Sequence, residues 1–211
     1  MKVKTSFIVL LFLSAILAGC SNGKLKDFDY GKIKNGKYVN SFFGMEMSIP
    51  ENWFIMSQEN LDALIKASGE VAAGDNKELQ ASVKTTEINS ANLLFVSEYE
   101  VGSVALNPYI ALVAENVKIS GIFIKNSKEY LQRTAKLCEQ SQIPYQIIGD
   151  ITTETINNQE FAVMHIMLHD FAYQKTYVIY KKDFAIVFTL TYFDDEQKEV
   201  LEEIMNSVKF K

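Results

Sequence analysis

A chain of 211 residues, 48% of them hydrophobic and 22% charged, is long and apolar enough for one domain with a real core. Its 26 acidic and 21 basic residues leave a formal charge of −5. An acidic chain with no basic tract is a poor fit for nucleic acid or for adhesion to anionic lipid headgroups, and two cysteines with two histidines leave little for thiol or metal chemistry.

Lys2 and Lys4 precede an uncharged run, Phe7 to Ala18. A helix that spans a bilayer needs about 20 apolar residues, so this run is short for a permanent anchor. A basic start, a short apolar core and small residues at its end describe a secretory signal. That signal ends in Leu17-Ala18-Gly19-Cys20, which resembles the bacterial lipobox. The bland alternative is an ordinary signal followed by an incidental cysteine. The resemblance implies that the Cys20 thiol takes a diacylglycerol and that residues 1–19 are removed as a lipoprotein signal peptide. Loss of Lys2 and Lys4 then takes the formal charge from −5 to −7. Each buried acyl CH2 contributes about 0.8 kcal/mol, and two or more chains hold a protein stably at a membrane. The expected location is a bacterial cell membrane or outer membrane, on the side facing away from the cytoplasm. With Cys20 acylated, Cys138 has no partner for an intramolecular disulfide. It shares a helical stripe with Tyr130, Leu131 and Ala135, which reads as a buried structural thiol.

Residues 20–36 are polar, lysine-rich and punctuated by glycine, and read as a flexible tether. The folded domain is expected over 37–211. Phe43, Met45, Met47 and Ile49 alternate with Gly44, Glu46 and Ser48, as a half-buried strand requires. Pro50-Glu51-Asn52 makes a turn, and Trp53-Phe54-Ile55 opens a second short strand. Ser57 caps a helix whose Leu61, Leu64 and Ile65 share a face. A weaker helix follows over 76–86, then a β-type run at 92–100 and an extended stretch around 110–117. Ser127 is the expected cap of a longer helix that Pro144 ends. Three or four strands come next, with hairpin turns expected at Asn157-Asn158-Gln159 and at Lys182-Asp183. Asp194 caps the last helix, with Gln197 placed to reach back and Val200, Leu201, Ile204, Met205 and Val208 as the apolar stripe. Helices interspersed with hairpin-joined strands predict an α+β fold, one antiparallel sheet with helices on both faces.

"YVNSFFGMEMSIPENW" resembles the opening of PsbP/Mog1-like domains, and "NLLFVSEYE", "NPYIALVAENV" and "FAIVFTLTYFDDEQKEVLEEIMNSVKF" fit the same plan. The resemblance spans residues 37–211 and implies an α/β/α sandwich with a central antiparallel sheet covered by helices. It also implies a role in protein assembly or as a partner of larger machines. It carries over no catalytic residue and no cofactor.

The residues themselves supply little chemistry. His165 and His169, on one strand, stand roughly 13 Å apart and cannot share an ion, so no metal site is expected. No nucleophile elbow surrounds Ser103, Ser120 or any other serine, and "GEVAAGD" lacks the Lys-Ser/Thr of a phosphate loop. Asp194, Asp195 and Glu196 complement a helix dipole better than they form an acid–base pair. Tyr173, Tyr177, Tyr180, Phe184, Phe188 and Tyr192 pack a sheet or, on the minority reading, line a groove for a peptide or small ligand. Trp53 reads as a core plug. The expectation is a membrane-anchored extracytoplasmic lipoprotein, a non-enzymatic binding or assembly module with a protein or small-ligand partner. The alternative is a hydrolase-like enzyme, which close carboxylates of raised pKa in a deep pocket would favour.

Overall fold

The structure, a computed structural model, describes residues 28–118 and 124–211, with only the backbone described at 86–88. Two antiparallel sheets and four helices make up this part. In chain order the elements are β1 (Lys32–Lys34), β2 (Lys37–Asn40), β3 (Met45–Ser48), β4 (Phe54–Ile55), α1 (Gln58–Ala73), α2 (Lys77–Asn89), β5 (Ser90–Ser97) and β6 (Tyr109–Asn116). They continue with α3 (Ser127–Gln140), β7 (Tyr145–Ile156), β8 (Gln159–Leu168), β9 (Ala172–Lys181), β10 (Phe184–Tyr192), α4 (Asp195–Asn206) and β11 (Lys209–Phe210). The large sheet runs β4-β5-β6-β10-β9-β8-β7 and the small one β1-β2-β3-β11.

The centre of the large sheet is covered on both faces, so every residue of β6 and β10 is buried. That is why "YIALVA" and "FAIVFTL" read as unbroken apolar runs. Tyr109, Ala111 and Val113 of β6 pack with Leu61 of α1, while Ala185 and Val187 of β10 pack with Leu79 of α2 and Tyr130, Leu131 and Cys138 of α3. The alternate residues, among them Ile110, Leu112, Ile186 and Phe188, meet Leu201, Ile204 and Met205 of α4 and Tyr38, Met45 and Met47 of the small sheet. The result is a sandwich with α1–α3 on one face and α4 plus the small sheet on the other. Gly69 lets α1 and α2 approach closely, since a Cβ there would lie 2.8 Å from Val83 Cγ1.

Local chemistry sets the boundaries. The tight turns Asn35-Gly36, Asn157-Asn158 and Lys182-Asp183 have positive φ at both residues, the geometry that suits the twist of two-residue hairpins. Asn157 also donates through Nδ2 to the carbonyls of Asn206 and Val208, each at 2.8 Å, and so ties the β7–β8 turn to the end of α4. Asp194 caps α4 by accepting from Gln197 N at 2.8 Å, and Gln197 Oε1 reaches back to Phe193 N at 2.9 Å.

Four expectations shift. The cap of α3 is Asn126, which accepts from Glu129 N at 2.9 Å, and Ser127 is the first helical residue. An amide oxygen is as good an acceptor as a hydroxyl, and Glu129 completes the box by accepting from Lys125 N at 2.9 Å. Val200 lies outside the buried stripe of α4, 39% exposed. His169 stands just past the end of β8 in a left-handed turn, φ 50°, so it does not share a strand with His165. Residues 28–36, placed by sequence in the tether, carry β1 and pair with β2; Phe28 packs its ring among Phe42, Phe43 and Phe184.

Candidate functional site

Cys20 and Ser120 lie outside the described residues. Of the remaining candidates, Cys138 is 3% exposed and burial pushes its thiol up to about 12, which suits packing and not nucleophilic attack. "GEVAAGD" is helical through Ala73 and borders a cleft of about 290 Å³ between α1 and α2, whose polar lining is Lys66, Glu70, Gln80 and Lys84. Trp53 packs against the core. Tyr177, Phe184, Phe188 and Tyr192 are buried in the sheet, and Tyr173 stacks on Tyr192 with centroids 5.7 Å apart, so these aromatics serve packing. Among the described residues no group of three or more His, Cys, Asp or Glu is arranged to hold a metal ion.

Two clusters of ionisable groups stand out, one sealed in the core and one at its α4 side with partly exposed carboxylates. On the α1–α3 side, Glu115 of β6 is fully buried and accepts a 2.7 Å hydrogen bond from Tyr130 Oη. Burial pushes the Glu115 carboxyl up to about 8, against the lowering effect of the Tyr130 bond and of the nearby Arg133 charge. A neutral carboxyl is far cheaper to enclose than a carboxylate, and Oε1 has no hydrogen-bond partner among the described residues. This is the raised carboxylate that an enzyme reading looks for, but it is sealed in the core.

On the α4 side, Lys175 of β9 is 7% exposed and held between two carboxylates, 3.0 Å from Glu154 of β7 and 2.7 Å from Glu202 of α4. Its ammonium also lies 4.9 Å from the centre of the Tyr177 ring. Burial opposes the Lys175 charge, yet its bonds to Glu202, Tyr177 and Glu154 outweigh that and raise its pKa. His165, opposite Lys175 in the sheet register, is pushed down by burial and then by the Lys175 charge. Both effects disfavour the charged imidazolium. This cluster is not legible in the local sequence. A lysine at the centre of "AYQKTYVIYK" was its one signal, and the two carboxylates come from elements far away in the chain.

The third feature is exposed. Between β5 and β6 the loop 98–108 is clamped at its base, where Asn107 Oδ1 accepts from Tyr99 N at 3.0 Å and Asn107 Nδ2 donates to Tyr99 O at 2.7 Å. Glu98 N donates to Pro108 O at 3.1 Å, and Ser103 donates to Glu100 O through both N, at 3.0 Å, and Oγ, at 2.6 Å. Ser103, weighed above as a nucleophile, is thus a turn residue. The ordered backbone holds Tyr99, Val101, Val104 and Leu106 in solvent, 38–47% exposed, beside Glu98 and Glu100. One short, hydrogen-bonded loop thus exposes four large side chains.

The same architecture occurs in a solved structure. Cyanobacterial PsbP (CyanoP) from Synechocystis matches with a TM-score of 0.50 and 11% identity, over 91% of this chain and 98% of that one. The Ran-binding protein Mog1p of Saccharomyces cerevisiae matches at 0.43 and 9% identity, over 84% and 96%. LpqN of Mycobacterium tuberculosis, involved in cell envelope biogenesis, matches at 0.36 and 14% identity, over 77% and 78%. No protein-family model and no curated protein sequence matches the chain. At such identities the likeness is one of fold. The layers, the antiparallel sheet and the match along nearly the full length of CyanoP together give the chain the PsbP/Mog1-like fold.

Proposed function

We propose that the protein is a non-enzymatic binding or assembly module, held by lipid on Cys20 at a bacterial cell membrane or outer membrane and facing away from the cytoplasm, with its β5–β6 loop as the contact surface for a protein partner. The observation that carries the binding role is the clamp of Asn107 on Tyr99, which presents four apolar side chains without leaving them to collapse on the domain. Rigid presentation lowers the ordering cost of binding. Glu98 and Glu100 at the loop fit a partner recess that is apolar inside and basic at its rim. The location rests on Leu17-Ala18-Gly19-Cys20 at the end of the short apolar run. The non-enzymatic reading is supported by the Tyr130–Glu115 bond, which engages the one carboxyl of raised pKa among the described residues inside the core.

Site-specific photo-crosslinking in the native cell tests the contact surface. A crosslinker at Val104 should yield a discrete adduct, while one at the exposed Glu203 on α4 should not. No adduct at Val104, or the same adducts at both sites, would contradict the assignment.

A further inference from the structure

Net charge averages over faces, and the small sheet gathers lysine on one of its own. Its inner face holds Tyr38, Met45 and Met47, all buried, with Ile33 paired to Tyr38 and Phe210 paired to Met45. Side chains alternate along a strand, so the outer face takes the other set. Lys32 pairs with Val39, Val39 with Glu46, and Glu46 with Lys209; beside that row, Lys34 pairs with Lys37 and Lys37 with Ser48. Lys32, Lys34, Lys37 and Lys209 therefore share one exposed face, and the one carboxylate among the described strand residues of that face, Glu46, is engaged by Lys37 at 3.6 Å and Lys211 at 3.8 Å. Asp29 at the margin is held by hydrogen bonds from Ser41 and Gly31. A cationic face on a chain of formal charge −5 is a local property of the fold.

Position supplies the occupant. From Cys20 to Phe28, the first described residue, the chain reaches at most about 29 Å when fully extended, and β1 follows at Lys32. A lipid on Cys20 thus leaves this face within reach of the bilayer, where lysines are drawn to anionic headgroups within a Debye length of about 8 Å.

We propose that the outer face of the small sheet docks on the anionic phospholipid headgroups of the bilayer that the Cys20 lipid enters, and so fixes the orientation of the domain. This rests on the lipid-anchor reading.

The test uses the full lipidated chain on vesicles of phosphatidylcholine alone and of about one-third phosphatidylglycerol, with a membrane-impermeant amine reagent and mass spectrometry of the labelled lysines. On anionic vesicles in about 0.02 M salt, Lys32, Lys34, Lys37 and Lys209 should label roughly threefold less than on neutral ones. Lys66, Lys77, Lys84 and Lys136, exposed on the helical side, should not change. The protection should vanish in about 0.5 M salt. Equal labelling of the four on both vesicle types would overturn the proposal and leave the face to an acidic protein surface. Failure to float with neutral vesicles, by contrast, would contradict the acyl anchor alone, and the labelling difference with anionic vesicles would still decide the docking face.

Discussion

Lys175 Nζ lies 2.7 Å from Glu202 Oε1, which bonds a strand near the middle of the large sheet to the helix that covers it. Glu154 takes the same ammonium at 3.0 Å from the edge strand, so one cation joins β7, β9 and α4. Lys175→Met keeps the stem and leaves the two carboxylates facing each other without their cation. Loss of such charge-assisted bonds costs about 2–3 kcal/mol. Lys118→Met, which breaks the exposed Lys118–Asp183 pair, should cost below about 1 kcal/mol. Urea denaturation of both variants checks this, and equal midpoints would contradict it.

Glu115 makes stability depend on pH in a definite direction. Its folded pKa, about 8, lies above the ordinary 4.5, so between these values the folded state holds a proton that the unfolded state has released. The contribution of this group is full below about pH 4.5 and is lost as pH rises through 8. Glu115→Gln keeps an acceptor for Tyr130 and removes the titration. The thermal midpoint of the wild type should fall more between pH 5 and pH 8.5 than that of the variant. Parallel pH profiles would show that the buried carboxyl does not titrate as described.

The C-terminal helix is part of the core. Leu201→Ala or Ile204→Ala removes a buried side chain, at a typical cost of 2–5 kcal/mol. Val200→Ala, on the same helix but 39% exposed, should cost well below about 1 kcal/mol. Similar denaturation midpoints for all three would mean that α4 does not pack on the sheet.

Cys138 should be chemically silent in the native protein. At 3% exposure, with its thiol pushed up to about 12, it should not react with a disulfide reagent at pH 8, and should react at once in denaturant. Rapid native-state labelling would contradict the buried assignment.

The helices, the long strands and two hairpin turns were legible because their signals are local: alternation in β3, the stripe on α4, and the Asn157-Asn158 and Lys182-Asp183 turns. What escaped depends on register or on distant partners. The aromatic cluster around Phe28 converts part of a polar, glycine-rich stretch into β1, since one phenylalanine gains a pocket that composition does not reveal. Asn126 displaces Ser127 as a cap by a single residue, within the usual uncertainty of helix ends. The Glu154–Lys175–Glu202 link and the lysine face each join residues far apart in sequence, and only the strand register brings them together. The Asn107–Tyr99 clamp that orders the loop 98–108 joins residues eight apart and leaves no local pattern in the sequence.

Whether lipid tethers the module is decided at Cys20. Cells expressing the wild-type chain or Cys20→Ala are fed labelled fatty acid, and the protein is isolated and weighed by mass spectrometry. The wild type should carry label, as a chain that begins at Cys20 with acyl mass, and Cys20→Ala should remain an unlabelled, unprocessed precursor. Label and normal processing in Cys20→Ala, or a wild type that carries no acyl mass, would contradict the lipid tether.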